Sequence, residues 1–242
     1  MILNEKIVSF IPVLKINNRH RNLEFYQETL GIKDLLEEGA FTSLGDKSKI
    51  EKLVLEETPG NRARKVEGAK KLAQITIRVG EPKEIESLLA RGAKYDQLYR
   101  GEKGYAFSAT SPEGDHFLLH AEEQVEKLKV IEQTDFVEID DFNGLTAFEI
   151  TEVTLRVPDV VKAKQFYQDL DLPIAFVQGV GADLTQVNSL TWDLSAFYIL
   201  LEQVPVAALC QHFEGRDFFV PKSEKFFVVT DESQIELRFE KA

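Results

Sequence analysis

Apolar positions along the chain fall into short alternating runs and wider helical stripes, and they do so in a repeating order. Leu14 and Ile16 alternate with Lys15 and Asn17, the two-residue period of a strand with one buried face. Asn17 and Asn18 break that strand and can cap the helix that follows, where Leu23, Tyr26 and Leu30 mark the buried stripe. The order returns at Thr154. Aligned without gaps on Val13–Glu28, the segment Thr154–Asp169 sets Leu155 against Leu14, Arg156 against Lys15, and Val157 against Ile16. Phe166-Tyr-Gln-Asp169 then meets Phe25-Tyr-Gln-Glu28, with Pro158 and Asp159 in place of the two asparagines. After each helix, shorter alternating runs end in Leu53–Glu57 and Tyr198–Glu202. Strand, helix, then three strands is the repeating module.

A weaker copy lies between these two. Gln74–Val79 alternates as a strand and Pro82–Ala90 reads as a helix. Tyr105–Ser108, the turn Ser111-Pro-Glu-Gly-Asp115 and the strand His116–His120 complete it. After Pro205 only Phe226–Val229 and Ile235–Phe239 read as strands, around an Asp231-Glu-Ser turn. The fourth module is therefore expected to lack most of its first strand and helix. The acidic stretch from Glu122 to Asn143 reads as a connector, placed at 123–147. The expected division is a complete two-module domain at 1–122 and a truncated one at 148–242.

Composition narrows the partners. A net charge of −12 with no basic stripe disfavours nucleic acid. The single cysteine, Cys210, permits no internal disulfide and fits a reducing compartment. The opening Met-Ile-Leu-Asn-Glu-Lys lacks a leader pattern, and no apolar run is long enough to span a membrane, so the expected location is cytoplasmic.

With its modules placed, the chain resembles the vicinal oxygen chelate (glyoxalase-like) superfamily over nearly its whole length. The strand followed by Phe-Tyr in the helix and the Ser111–Asp115 turn carry the likeness. Its two-domain length, shortened C-terminal half and Phe-Tyr-Gln repeats resemble the CppA family more narrowly. The resemblance implies an α+β fold of tandem βαβββ modules forming cupped mixed sheets, with the C-terminal module shortened. Members of the CppA family carry the name of a proteinase degrading the third complement component. That role would require export or release by lysis.

In the superfamily a metal sits in the cup on His, Gln and Glu from the first and last strands of each module. At the matching first-strand position the first module has Ile11, which cannot bind a metal, and the second has Gln74. Leu118 stands where a last-strand Glu is expected, and the first module's last strand offers Glu56 or Glu57. The second domain offers Glu152, Glu236 and Glu202. Three carboxylates without histidine would favour magnesium, manganese or calcium over zinc. As strand-end glutamates on an acidic surface they need no metal. The expectation is no cofactor, or a divalent cation if there is one.

His116 and His120 have the spacing of a helical zinc pair, but on a strand their Cα atoms lie ~13 Å apart. They share a face with Leu118, so with Gln74 and Arg78 they could line a pocket in the first cup, or they could equally be two solvated histidines. Cys210 and His212, read on a strand, share a face at ~6–7 Å with no residue to orient the histidine. His20 has no evident partner, and serine, metallo- and aspartic-protease signatures are absent. The leading expectation is a binding protein that takes a small molecule or peptide through Gln74, Arg78, His116 and His120. The alternatives are a metal-dependent lyase, isomerase or dioxygenase using Glu152, Glu236 and Glu202, and the proteinase acting on a complement component. A homodimer is also expected, because a shortened module leaves a sheet edge for a partner to cover.

Overall fold

The computed structural model describes residues 2–3, 7–132 and 134–242; Met1 and Asn4–Lys6, part of the stretch inspected for a leader, lie outside it, as does Gln133 of the connector. The first module runs β1 (Ile7–Ile16), α1 (Arg19–Glu24, prolonged by a π-helical turn Phe25–Thr29), β2 (Lys33–Glu38), β3 (Phe41–Gly45) and β4 (Glu51–Glu57). The second runs β5 (Leu72–Val79), α2 (Pro82–Ala90), β6 (Gln97–Arg100), β7 (Tyr105–Thr110) and β8 (His116–His120), followed by the short β9 (Lys129–Val130). The third has only β10 (Phe148–Val157), α3 (Val160–Tyr167) and β11 (Ile174–Gln178). The fourth has β12 (Leu194–Leu201), α4 (Val206–His212), β13 (Phe218–Phe219), β14 (Phe226–Thr230) and β15 (Glu236–Lys241).

The helix starts follow the capping chemistry of the sequence. Asn18 Oδ1 accepts the Arg21 N–H at 2.9 Å, and Asp159 Oδ1 accepts those of Val161 and Lys162 at 3.0 and 3.1 Å. In the Ser111–Asp115 turn Gly114 takes φ of 86°, a conformation that strains any side chain. Gly45 answers a different demand: a Cβ there would collide with the Ile50 carbonyl oxygen across the hairpin. Gly45→Ala is expected to cost about 1–3 kcal/mol through this overpacking, read as a lower urea midpoint at unchanged slope.

Two open mixed sheets result. One has eight strands in the order β13-β14-β15-β12-β1-β4-β3-β2, the other seven in the order β11-β10-β5-β8-β7-β6-β9. The first module thus pairs with the fourth through β1 and β12, and the second with the third through β5 and β10. The halves 1–122 and 148–242 do not each close their own sheet. The run Tyr198–Glu202 was expected to end the third module. It belongs instead to the first strand of the fourth, because Leu194–Leu201 lies parallel to β15 and in a different sheet from β10. The fourth module therefore has its first strand and helix, and is compact through a seven-residue α4 and a two-residue β13. The third module is the one without its middle strands: β11 lies directly parallel to β10.

One continuous core joins the inner faces of both sheets, with Leu14, Ile16, Ile77, Phe117, Leu155, Phe197 and Phe239 among its members. The repeated Phe-Tyr pairs fill it: Tyr26 packs edge-on to Phe117, and Phe166 packs on Phe213. A second, separate apolar cluster of Ile11, Val13, Val54 and Ala196 lies on the outer face of the eight-stranded sheet. These residues are only 1–6% exposed, with Tyr198 and Leu200 packed against them. Among the described residues no helix is long and apolar enough to cross a membrane.

Candidate functional site on the outer sheet faces

In β5, Ile75, Ile77 and Val79 enter the core, so Gln74, Thr76 and Arg78 take the opposite face. In β8, Phe117 and Leu119 enter the core, which leaves His116, Leu118 and His120 outward. The two strands are parallel neighbours, with Thr76 beside Leu118 and Arg78 beside His120. The four residues expected to line a pocket therefore share one face of two adjacent strands.

Their environments differ. His116 is exposed, with Nδ1 at 2.9 Å from Thr110 Oγ1, which in turn donates to Asp96. Gln74 donates from Nε2 to Thr76 Oγ1 at 3.1 Å. Arg78 makes ion pairs with Glu123 at 2.7 Å and Glu149 at 2.8 Å, and Lys103 also holds Glu123. His120 is 1% exposed. Its Nδ1 accepts the Glu122 N–H at 3.1 Å, which puts the ring proton on Nε2. Burial pulls the His120 imidazole below the usual histidine range, and the Arg78 guanidinium adds to this, outweighing Glu122 and Glu123. The ring is thus neutral at pH 7, and its buried Nε2–H finds no acceptor among the described residues. An unmet buried donor costs roughly 1–3 kcal/mol. That cost and the charged Arg78 beside it make this face suited to an oxygen-bearing polar molecule.

The three carboxylates named for a metal are not brought together. Glu152 lies exposed on β10 of the seven-stranded sheet, opposite Thr76, and accepts Thr154 Oγ1 at 2.9 Å. Glu236 opens β15 in the other sheet, and Glu202 is exposed just past β12. Among the described residues no three His, Cys, Asp or Glu side chains gather closely enough to hold a metal ion. The protease reading loses its thiol pair as well. Cys210 and His212 stand on a helix, α4, where residues two apart diverge by roughly 200°. His212 turns its Nε2 to the Phe166 carbonyl at 3.3 Å.

Sequence reasoning missed a second polar cluster, above the apolar patch on the eight-stranded sheet. Lys15 pairs with Glu56 at 2.5 Å on adjacent β1 and β4. Tyr198 stands beside Ile11 on one side and Arg238 on the other. Arg238 bonds Glu240 at 2.9 Å and lies over the rings of Tyr198 and Phe226. Burial raises the Tyr198 phenol, and Glu236 raises it further against the pull of Arg238. The alternation of β12 carried this signal, but only once β12 was placed beside β1.

Family models for the CppA N-terminal and CppA C-terminal regions match residues 9–131 and 145–239. The solved cppA protein from Streptococcus pneumoniae TIGR4 is 44% identical, covering 98% of this chain and 100% of that chain with a TM-score of 0.91. Glyoxalase I from Zea mays shares the fold at 14% identity, 98% and 92% coverage and a TM-score of 0.57. Its V278E mutant does so at 14% identity, 99% and 94% coverage and a TM-score of 0.61. No curated protein sequence matches the chain. A metal of the kind this fold family uses does not fit the residues present. On the eight-stranded sheet Ile11 and Tyr198 supply no strong ligand pair and the Lys15 ammonium already neutralises Glu56; on the seven-stranded sheet Leu118 interrupts the set. A glyoxalase-like fold on two sheets, with its chain matched from residue 9 to residue 239, places this protein in the CppA family.

Proposed function

We propose that this protein binds a small polar molecule or peptide on the outer face of the seven-stranded sheet, through Gln74, Arg78, His116 and His120, without metal chemistry. One observation carries the reading: the buried Nε2–H of His120, without a partner among the described residues, lies in register beside Arg78. Arg78 and His120 are register partners on adjacent strands, and a ligand oxygen received by the Arg78 guanidinium would replace bonds now made to it by Glu123 and Glu149. Gln74 and His116 extend the same face with neutral polar groups.

Thermal-shift screening of the full chain against small carboxylates, hydroxy acids, amides and short peptides provides the test. A compound that raises the wild-type melting temperature should bind at least about tenfold more weakly to Arg78→Ala and His120→Phe, roughly 1.4 kcal/mol each. Chelator should leave its affinity unchanged. Equal affinity for wild type and both variants would remove this face as the site.

A further inference from the structure

The start of α1 meets the turn before β8, and the start of α3 meets the turn before β15. The two turns share one frame. Ser111 N–H donates to the Asp115 carbonyl at 2.8 Å, and Asp231 N–H to the Ile235 carbonyl at 3.0 Å. Asp115 N–H donates to Ser111 Oγ, Ile235 N–H to Asp231 Oδ1, and Gly114 and Gln234 take φ of 86° and 62°. Ser111 therefore corresponds to Asp231, and Glu113 to Ser233. On the helix side the repeat sets Pro158 against Asn17 and Ala163 against Asn22.

The groups that close the first joint are shortened or lost in the second. Glu113 Oε1 accepts the Asn17 N–H and Asn22 Nδ2, each at 3.0 Å, so one buried carboxylate fills the space between turn and helix. Ser233 is too short to reach as far, Pro158 has no N–H, and Ala163 has no amide. A cavity of about 180 Å³ lies at this second joint, floored by Val157, Ala163 and Phe166. Asp159, Asp231, Glu232 and Ser233 form its polar wall, and Lys162 is the cation among its lining residues. The wall thus holds three carboxylates to one ammonium, while the donors that hold Glu113 have no counterpart. Ser233 is 3% exposed, and its hydroxyl has no hydrogen-bond partner among the described residues.

We infer that this cavity is a binding site for a small primary amine in its ammonium form. The apolar body of the amine rests on Val157, Ala163 and Phe166, and its N–H groups are given to Asp231 and Ser233. Volume sets the size. An apolar cavity of about 150 Å³ takes benzene, so the ligand has about six non-hydrogen atoms. Charge sets the class. Asp231 accepts one bond on each oxygen, from Tyr167 and from Ile235, and each oxygen has a further lone pair for an ammonium. At pH 7.5, above the Asp231 value of about 6, that carboxylate is ionised. A carboxylate ligand would meet three like charges here, and an alcohol would cover the floor without neutralising the wall.

Titration of the full chain with n-pentylamine at pH 7.5 and constant ionic strength tests this, read from backbone amide chemical shifts. The matched probes are n-pentanol and butanoate. The Ser233 and Ala163 amides should shift saturably with the amine, and both other probes should bind at least about tenfold more weakly. Asp231→Asn should weaken the amine at least about tenfold and leave n-pentanol unchanged, which separates lost charge from a damaged cavity. Ala163→Leu fills the floor and should remove both ligands while keeping wild-type circular dichroism. Absence of a saturable shift at these amides overturns the proposal. So does n-pentanol or butanoate binding as tightly as the amine, or full amine affinity in either variant.

Discussion

Asp193→Ala is expected to destabilise the fold by about 3–5 kcal/mol, the loss typical of opening a buried, fully bonded charge site. Asp193 is 2% exposed and sits at the junction of the two sheets. Its Oδ2 accepts the Lys71 N–H at 2.7 Å, and its Oδ1 accepts those of Leu72 at 3.2 Å and Leu194 at 2.8 Å. Leu72 opens β5 in one sheet and Leu194 opens β12 in the other, so one carboxylate ties the strand heads of both. Alanine leaves these buried amides without acceptors. It also removes an anion near the Lys71 ammonium, itself 1% exposed and bonded to the Gln186 carbonyl and Asn188. Asp193→Asn retains an acceptor for some of these amides and should cost less than half as much. Urea unfolding measures both. A loss below about 1 kcal/mol for alanine would mean that apolar packing alone holds the sheets together.

The first two modules were legible in the sequence because local signals agreed. Period-two runs in β1 and β5, the Asn18 cap and the Ser111–Asp115 turn each specify one structure. Partner choice between distant strands was not legible. Leu194–Leu201 alternates as clearly as β1, yet period two says nothing about which sheet receives a strand. The deciding element is α4, only seven residues long, whose fully buried member is Leu209 alone. With so thin a stripe, the crossover that makes β12 parallel to β15 could not be read.

The site divides along the same line. Gln74, Arg78, His116 and His120 share a face because each is directly adjacent in sequence to core-facing residues, a property of single strands. Their partners are another matter. Glu123 and Glu149 reach Arg78 from the connector and from β10, and nothing in the alternation of β5 points to them. Glu152, Glu236 and Glu202 could be grouped only by assuming that the C-terminal half folds on itself. Once β10 pairs with β5 and β12 with β1, that assumption fails and the three separate.

Asp231→Asn should change how stability depends on pH. Asp231 is buried in the turn before β15, where its Oδ2 accepts the Tyr167 hydroxyl at 2.9 Å and its Oδ1 the Ile235 N–H at 2.8 Å. Burial raises its pKa from 3.8 to about 6, against the pull of these bonds and of Lys71. The folded chain therefore keeps a proton that the unfolded chain releases near pH 4. The stabilisation is full below that point and is lost as pH rises towards 6, a change of about 3 kcal/mol at 1.36 kcal/mol per pKa unit. His120 works in the opposite direction. Its pKa is lowered by folding, so its contribution is present above about pH 6.5 and lost as pH falls below it. Because the two overlap, the wild-type curve alone does not isolate Asp231; the difference between wild type and Asp231→Asn does. Asparagine can keep the Ile235 bond through Oδ1, can donate from Nδ2 to the Tyr167 oxygen in place of the other, and does not titrate. Relative to wild type, the variant should gain about 3 kcal/mol between pH 4 and pH 7.5, read from urea midpoints at each pH. A difference that is flat with pH would mean that Asp231 stays ionised in the fold, with the Tyr167 and Ile235 bonds outweighing its burial.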